Sequence, residues 1–455
     1  MAQPKSQPKS QPKSQPKSES KSESRSRSAS AAGVRPVAVL GGNRIPFARA
    51  NSAYADASNM EMLTAALDGL VSRYSLAGEE IGEVVAGAVL KHARDFNLTR
   101  EAVLNTRLAP QTSATDIQQA CGTGLQAAMH VADKIALGRI ESGIAGGTDT
   151  ASDAPVAISD ALRRKLMGVN AARDTMGRVK ALGAIRPGDI WIEIPRNFEP
   201  RTGLSMGEHA ALTALEWRIA REAQDELAVA SHHHLAASYD AGFQDTLITP
   251  FRGLVKDENL RADTSLERLA KLKPVFGKGS TATMTAGNST ALTDGASAVL
   301  LASEEWAAQR SLEPLAYLVD HETAAVDFVH GGEGLLMAPA YAVSRLLARN
   351  GLTLQDFDFY EIHEAFASQV LSTLAAWEDP VFCEHRLGLS APLGAIDRAK
   401  LNVNGSSLAA GHPFAATGGR IVANLATLLA QRGSGRGLIS ICAAGGQGVV
   451  AILER

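Results

Sequence analysis

Short apolar runs that end in glycine alternate with helical patterns along most of this chain. PVAVLGG (36–42) and EVVAGAVL (83–90) are predicted to be buried strands, because unbroken apolar runs of this length are typical of strands covered on both faces. Between them, apolar residues recur at helical spacing from Met60 to Tyr74. This alternation of strand and helix predicts an α/β fold with a mainly parallel sheet.

The same order of patterns returns in the second half of the chain. SGIAGGTDT (142–150) and ISICAAGGQG (439–448) are both apolar runs broken by paired glycines after a helical segment. This weak internal symmetry predicts two related halves, which we place at residues 34–313 and 314–455. Residues 160–278 differ from both because they carry more charge.

That middle region contains a basic stretch, RRKLMGVNAARDTMGRVKALG (163–183), with Leu, Met and Val at helical intervals. The pattern favours a helical cap packed on the main body. The alternative is an amphipathic surface that faces a partner or a membrane.

Composition limits the classes of protein that this chain can belong to. It has 455 residues, 45% of them hydrophobic and 20% charged, with a net charge of −3, which is typical of a globular protein of two or three domains. Nothing in this charge indicates a nucleic-acid partner, and no apolar run is long enough for a membrane span. Three widely separated cysteines do not make a disulfide framework and favour a reducing compartment.

Residues 1–33 form a separate segment, in which QPKS repeats and the charged residues are five lysines, two arginines and two glutamates. No side chain larger than alanine is apolar there after Met1. Such a segment cannot bury enough surface to offset the entropy of ordering, so we predict a disordered cationic tail, with a targeting or docking arm as the alternative.

Cys121 is the first candidate for chemistry. It lies in QQACGTGLQAA, where two glycines precede a helical pattern. A thiol at a helix N-terminus is exposed to unpaired N–H groups and to the positive end of the helix dipole. Both effects lower a thiol pKa, to between about 3.5 and 7.5 in such settings. We therefore predict that Cys121 is a nucleophile.

Two further residues complete a plausible set. His412 stands between Gly411 and Pro413, and an imidazole beside Cys121 would take the thiol proton and hold the thiolate in an ion pair. Cys442 follows an apolar strand and precedes two glycines, a position that places a side chain in a cleft. As a second thiol with an ordinary pKa near 8.5, it would serve as a general acid or base.

The remaining polar motifs are less specific. His363 and Glu364 in EIHEAFASQ indicate either a polar cluster at a helix start or an oxyanion-hole donor. Cys383 and His385 in FCEH have no second pair at suitable spacing, so we predict no metal site. The run 232–234 of three histidines is predicted to lie on a helix surface.

Taken in order, four segments resemble the signatures of the thiolase family across roughly residues 35–455. They are QQACGTGLQA, TAGNSTALTDGA, NGSSLAAGHPFAATGGR and CAAGGQG. The resemblance implies the thiolase fold, which is α/β: two βαβαβαββ halves in a five-layer αβαβα arrangement, with a loop domain at about 160–278. HEAFA and the basic insert resemble the β subunit of fatty-acid oxidation complexes.

The resemblance also implies roles. Cys121 would form the acyl-thioester, His412 would activate it, Cys442 would carry the proton of the α-carbon, and His363 would contribute to the oxyanion hole. Met206 and Thr290 match positions that contact coenzyme A, which is a substrate here, with no permanently bound cofactor.

The activity implied is CoA-dependent cleavage of 3-ketoacyl-CoA in β-oxidation. Competing hypotheses are a biosynthetic acetoacetyl-CoA thiolase, a ketosynthase and a non-catalytic CoA- or lipid-binding scaffold. A homodimer or homotetramer, a hydratase/dehydrogenase partner and a cytoplasmic location, with a mitochondrial one as the alternative, are also expected.

Overall fold

The computed structural model describes residues 34–455. The prediction of a disordered tail at 1–33 lies outside the described residues.

Strands and helices alternate as the sequence predicts. The strands are β1 (Ala38–Arg44), β2 (Ala48–Arg49), β3 (Glu83–Ala86), β4 (Ala114–Asp116), β5 (Ser142–Asp149), β6 (Ala157–Ile158), β7 (Ile192–Glu193), β8 (Pro274–Phe276), β9 (Met284–Thr285), β10 (Thr293–Ala302), β11 (Ala316–Ala325), β12 (Phe359–Ile362), β13 (Arg436–Ala443) and β14 (Gln447–Glu454). The helices are α1 (Asn59–Arg73), α2 (Leu98–Leu104), α3 (Thr123–Ala136), α4 (Asp160–Ala171), α5 (Thr175–Gly183), α6 (Met206–Glu216), α7 (Arg221–Asp240), α8 (Leu266–Leu269), α9 (Glu304–Gln309), α10 (Ala338–Asn350), α11 (Ala367–Glu378), α12 (Pro380–His385), α13 (Ser407–Ala410) and α14 (Ala416–Arg432).

Both halves of the chain use the same strand order. In the first half the strands run β1-β10-β5-β3-β4, and in the second they run β11-β14-β13-β12. A parallel bridge from Tyr360 to Leu401 occupies in the second half the place of β4 in the first. The halves join where β1 pairs with β11, through Ala38–Tyr317 and Val39–Ala316. Duplicated topology therefore underlies the weak internal symmetry of the sequence.

The expectation of a mainly parallel sheet is wrong. Parallel pairing joins β12 to β13 and β3 to both β4 and β5, whereas β1, β10, β11 and β14 pair antiparallel with their sheet neighbours. The reason is visible at β13 and β14, which are joined directly by a tight turn and not by a helix. Gly445 and Gly446 hold positive φ angles of 80° and 71° there, a conformation that glycine adopts without strain.

Three apolar clusters define the layers. The middle cluster packs α3 and α14 against one face of each half-sheet. One outer cluster packs α1 and α2 on the first half, and the other packs α10 and α11 on the second. In β10, Val299 and Leu301 face the middle cluster whereas Ala298 and Leu300 face outward, the alternation expected of a strand covered on both faces.

The two middle helices touch through glycine. A Cβ placed on Gly124 of α3 would lie 2.6 Å from the Ala415 carbonyl oxygen, and one on Gly418 of α14 would lie 2.1 Å from the Leu125 nitrogen. Side chains cannot fit there, so both positions require glycine. The contact brings together the N-terminal ends of α3 and α14, next to Cys121 and His412.

The basic stretch does not form a packed cap. Helices α4 and α5 contain no buried residue in the described structure, and exposed apolar side chains such as Met167, Met176 and Trp191 lie along this segment. The expectation that this stretch packs on the main body is therefore wrong, because its apolar stripe has no covering surface within residues 34–455. Among the helices described, none is both long and apolar enough to cross a membrane.

Candidate active site

Cys121 lies in a constrained turn just before α3. Ala120 has a positive φ of 46°, which costs a non-glycine residue of order 1–3 kcal/mol. The Thr123 hydroxyl fixes the turn, because it donates to the Ala120 carbonyl at 2.7 Å and accepts from the Gln119 amide at 2.8 Å. With Gly122 as the helix N-cap, the turn directs the sulfur to where the two halves meet.

The sulfur meets two imidazoles from the second half. The Cys121 sulfur and one nitrogen each of His363 and His412 lie within 4.8 Å of one another. The two rings are 4.2 Å apart between centroids, and both side chains are buried. The structure thus brings together three of the predicted site residues.

Each imidazole is oriented through Nδ1 and leaves Nε2 free. His412 Nδ1 lies 2.6 Å from the Thr417 hydroxyl, and its backbone amide donates to Thr293 Oγ1 at 2.7 Å. His412 Nε2 is buried and accepts no hydrogen bond from any residue that the structure describes. A buried unpaired nitrogen is costly, so its persistence beside a thiol indicates a proton acceptor.

His363 is oriented by a pair of residues that the sequence analysis did not identify. Its Nδ1 lies 2.9 Å from Ser407 Oγ, and Arg420 donates to that same oxygen at 3.2 Å. The hydroxyl has one proton and two lone pairs, one of which the guanidinium occupies, and Nδ1 is the only acceptor that the described residues offer to that proton. We therefore infer that the Ser407 hydroxyl proton points at His363 Nδ1. The ring proton then resides on His363 Nε2, which is buried and unpartnered, and makes it a donor into the site.

Burial, not the helix dipole, dominates the protonation of this cluster. Burial lowers the pKa of His412 to about 3 and lowers that of His363 well below its usual range, with the Arg420 charge adding to both shifts. Burial also raises the pKa of Cys121 to about 12, although the Ala444 amide opposes this shift. The expected lowering of the Cys121 pKa is therefore wrong: burial favours a thiol beside a neutral imidazole.

Cys442 ends β13 beside these groups. It is 5% exposed and lies in an apolar cluster with Ala365 and Phe366. Burial raises its pKa above the ordinary value, and the nearby Cys121 adds to the shift, so the expectation of an unperturbed thiol is wrong. A neutral thiol in an apolar cleft can donate a proton to a strongly basic carbon.

The turn after Cys442 supplies backbone donors. The amides of Ala444 and of Cys121 itself face the Cys121 sulfur closely enough to oppose the rise of its pKa. Glu199 holds this turn, because its Oε1 accepts from the Gly445 amide at 2.7 Å. Two fixed N–H groups at the sulfur form a ready oxyanion site for a group bonded to it.

Two buried carboxylates connect the halves around the site. Asp149, at the end of β5, accepts from the Leu90 amide at 2.8 Å and from the Ala415 amide at 2.9 Å, just before α14. Glu364 accepts from Ser231 at 2.6 Å and from Asn402 at 2.7 Å. Sequence spacing gave no signal for Asp149, since its partners lie far apart along the chain.

A cavity of about 660 Å³ lies beside this cluster, and Thr290 is among the residues that line it. The Thr290 hydroxyl donates to the Ser407 carbonyl at 2.9 Å, so the cavity wall is tied to the residue that orients His363. Three arginines, Arg49, Arg261 and Arg268, line the cavity against one acidic side chain, Asp263, so the charge of its lining is positive. Met206 lies elsewhere, at the start of α6 against the apolar cluster of Cys442.

His232 also lines this cavity, and the prediction that 232–234 lies on a helix surface is wrong for it. His232 is 5% exposed, and its Nδ1 accepts from the Arg261 amide at 3.1 Å.

Cys383 is buried in α12, where its thiol faces the carbonyls of Ala376 and Trp377.

Together, the duplicated fold and the thiol–imidazole cluster define an enzyme that transfers acyl groups through a cysteine thioester. Residues 37–305 match the thiolase N-terminal domain, and residues 312–455 match the thiolase C-terminal domain. The chain belongs to the thiolase family, as the four motifs predict, and is an acyltransferase.

Similar proteins agree with this assignment over nearly the whole chain. A 3-ketoacyl-CoA thiolase of Pectobacterium carotovorum is 40% identical, covering 92% of this chain and 96% of the relative; one of Yersinia pestis is 38% identical with the same coverage. The solved structure of human mitochondrial 3-ketoacyl-CoA thiolase aligns with a TM-score of 0.77 at 29% identity, covering 93% of this chain and 100% of that one. The acetyl-CoA acetyltransferase of Bacillus anthracis aligns with a TM-score of 0.76 at 31% identity, covering 93% and 99%.

Proposed function

We propose that this enzyme is a 3-ketoacyl-CoA thiolase that cleaves its substrate with coenzyme A to release acetyl-CoA and an acyl-CoA two carbons shorter. The observation that supports this most is the convergence of the Cys121 sulfur with one nitrogen each of His363 and His412 within 4.8 Å. With Cys442 beside them, the cluster contains a nucleophile, a base, an oxyanion donor and a second acid.

The first step forms a carbon–sulfur bond. His412 Nε2 takes the Cys121 proton as the sulfur attacks the 3-keto carbon, so no free thiolate is needed beforehand. The amides of Ala444 and Cys121 receive the developing oxyanion. A neutral imidazole suits this step because it can accept a proton at physiological pH.

The second step breaks the C2–C3 bond. The electron pair passes to the acetyl-CoA fragment as an enolate, whose thioester oxygen accepts from His363 Nε2–H and from protonated His412. The Cys442 thiol then gives its proton to the α-carbon, and acetyl-CoA leaves. Cys121 remains as an acyl-thioester and Cys442 as a thiolate.

The last step regenerates the enzyme. The Cys442 thiolate removes the proton of an incoming coenzyme A thiol, and the resulting thiolate attacks the Cys121 acyl carbon. Cys121 departs and recovers its proton from His412, so every proton is accounted for. Two stages on one sulfur avoid a simultaneous encounter of two thioesters with coenzyme A.

The cationic cavity suits the phosphates of coenzyme A. Arg261 and Arg268 line it, and Arg261 is exposed, so its loss should weaken an exposed ion pair. We expect Arg261→Gln to raise KM for coenzyme A about two- to fivefold with kcat unchanged. Arg139→Gln, at an exposed arginine just after α3, is the matched control. Equal effects of both changes would contradict the assignment.

Thiolysis rates against 3-ketoacyl-CoA of four to sixteen carbons test the proposal. Cys121→Ala should abolish turnover and Cys383→Ala, at a buried thiol in α12, should not. Mass spectrometry should locate the acyl adduct on Cys121. Activity confined to the four-carbon substrate would favour the biosynthetic acetoacetyl-CoA reaction instead, and an adduct on Cys442 would refute the assigned nucleophile.

The segment 155–198 supports a partner. It carries eight Lys or Arg against four Asp or Glu, and no part of residues 34–455 buries the side chains of its helices α4 and α5. We assign it to contact with a hydratase/dehydrogenase subunit, within a cytoplasmic homo-oligomer. Co-purification from native extract tests this. Purification of a homo-oligomer without such a subunit would refute the proposed partner. Recovery of the protein in the membrane fraction would indicate contact with lipid.

A further inference from the structure

We propose that Cys121, His363 and His412 also form a binding site for a zinc ion, which occupies the nucleophile and closes the enzyme to substrate. The inference does not depend on the proposed reaction, because it rests on the ligand atoms and is tested by binding.

The ligand atoms are already close to a zinc geometry. A tetrahedral zinc ion with bonds of about 2.0–2.3 Å holds its nitrogen and sulfur ligands about 3.4–3.6 Å apart. The sulfur and the two imidazole nitrogens lie within 4.8 Å of one another, so they must contract by at most about 1.4 Å to reach that spacing. Small rotations of the side chains supply a contraction of this size.

Two observations single out this cluster among the described polar groups. His363 Nε2 and His412 Nε2 are buried, unpartnered and next to the sulfur, and their Nδ1 atoms are held by Ser407 and Thr417. Metal-binding histidines are oriented in this manner, with the second ring nitrogen hydrogen-bonded to a neighbour. The two side chains are 1% and 4% exposed, which limits the rings to small rotations.

The ligand set selects the type of metal. One thiolate and two imidazoles suit zinc or cobalt, whereas magnesium and calcium require oxygen ligands. On binding, a metal–sulfur bond replaces the Cys121 S–H bond and the thiol proton passes to the buffer. A metal–nitrogen bond likewise replaces the His363 Nε2–H bond, and that proton moves to Nδ1, where the Ser407 hydroxyl turns to accept it. The fourth position stays open to water.

The sequence could not reveal this site by spacing. His363 and His412 come from segments on either side of α11 and α13, and Cys121 comes from the first half. The prediction of no metal site considered only the neighbouring pair Cys383 and His385, which contributes nothing to the cluster.

Cobalt binding to the full chain tests the proposal directly. We expect one equivalent of Co²⁺ to produce tetrahedral d–d bands and a sulfur-to-cobalt charge-transfer band, with Zn²⁺ displacing it. Cys121→Ser should abolish the charge-transfer band, and His363→Asn should weaken binding at least about 100-fold, since loss of even an outer-shell partner costs about 10–100-fold. Cys383→Ser is the matched control and should change neither the charge-transfer band nor the affinity for cobalt. Loss of the band in Cys383→Ser instead would overturn the proposal.

A second test uses the unmodified enzyme and therefore does not depend on whether the variants fold. Zn²⁺ should slow alkylation of Cys121 by iodoacetamide, read as the mass of the Cys121 peptide, and a chelator should restore the rate. Alkylation at an equal rate with and without Zn²⁺ would overturn the proposal.

Discussion

Replacing Ser407 with alanine tests whether one hydroxyl sets the chemistry of His363. Ser407 Oγ lies 2.9 Å from His363 Nδ1 and accepts from Arg420 at 3.2 Å. Its neighbour Ser406 also accepts from Arg420, at 3.1 Å, and is equally buried. Ser406→Ala is therefore a control that alters the same guanidinium without touching the imidazole.

The magnitude follows from the lost hydrogen bond. Removing the hydroxyl leaves the buried His363 Nδ1 unpaired, which costs about 1–3 kcal/mol and no longer favours the tautomer with its proton on Nε2. If that cost appears in the enolate-forming transition state, kcat falls about five- to 150-fold. This stays near or below the roughly 100- to 1,000-fold loss typical when an oxyanion donor is removed outright. Because Ser407 is not among the residues that line the cavity, the KM for coenzyme A should not change.

The assay is steady-state thiolysis of a 3-ketoacyl-CoA by both variants, with urea unfolding as a measure of stability. Nitrogen-15 chemical shifts of His363 report the tautomer independently of turnover. We expect both variants to lose stability and Ser407→Ala alone to lose kcat. Equal losses of kcat in the two variants, or an unchanged tautomer in Ser407→Ala, would refute the reasoning.

Three further outcomes follow from the protonation of the site. Because burial raises the pKa of Cys121 to about 12, its alkylation rate should rise about tenfold per pH unit from about pH 7 to 10; a plateau in that range, measured with iodoacetamide, would indicate an ion pair. The pKa of His412 is lowered to about 3, so below about pH 6.5 the unfolded chain binds a proton at this residue that the folded chain does not. The free energy of unfolding should therefore decrease as the pH is lowered, by up to about 1.4 kcal/mol per pH unit. Urea unfolding at pH 5 and pH 7 should show a smaller change in the free energy of unfolding for His412→Gln than for the unchanged protein. An equal change in both proteins would contradict this. Cys442→Ser should suppress hydrogen exchange at the acetyl methyl of acetyl-CoA more than acetyl transfer to Cys121; equal losses would exclude it as the acid.

Local sequence patterns predicted much of the fold and the identity of the site. Period and glycine placement located the helix that follows Cys121 and the strand that carries Cys442, because those residues are positioned by their immediate neighbours. Strand direction was predicted wrongly, since the hairpin through Gly445 and Gly446 reverses the chain where a helical crossover is assumed.

The features that the sequence did not predict arise from contacts between residues that are far apart along the chain. The low helix-terminal pKa expected for Cys121 reflects only its local context, and burial by the second half outweighs it. Arg420 looks like an ordinary helix residue until folding places it against Ser407. The same holds for Asp149, whose partner Ala415 is remote in sequence.

The glycine contact between α3 and α14 decides whether the cluster can assemble. Gly124 belongs to one half and Gly418 to the other, and Cys121 comes from the first half while both histidines come from the second. Neither half alone therefore contains the whole cluster. A side chain at either glycine would collide with the backbone of the opposite half and separate the sulfur from the imidazoles, so a change that removes no reactive group would still disable the site.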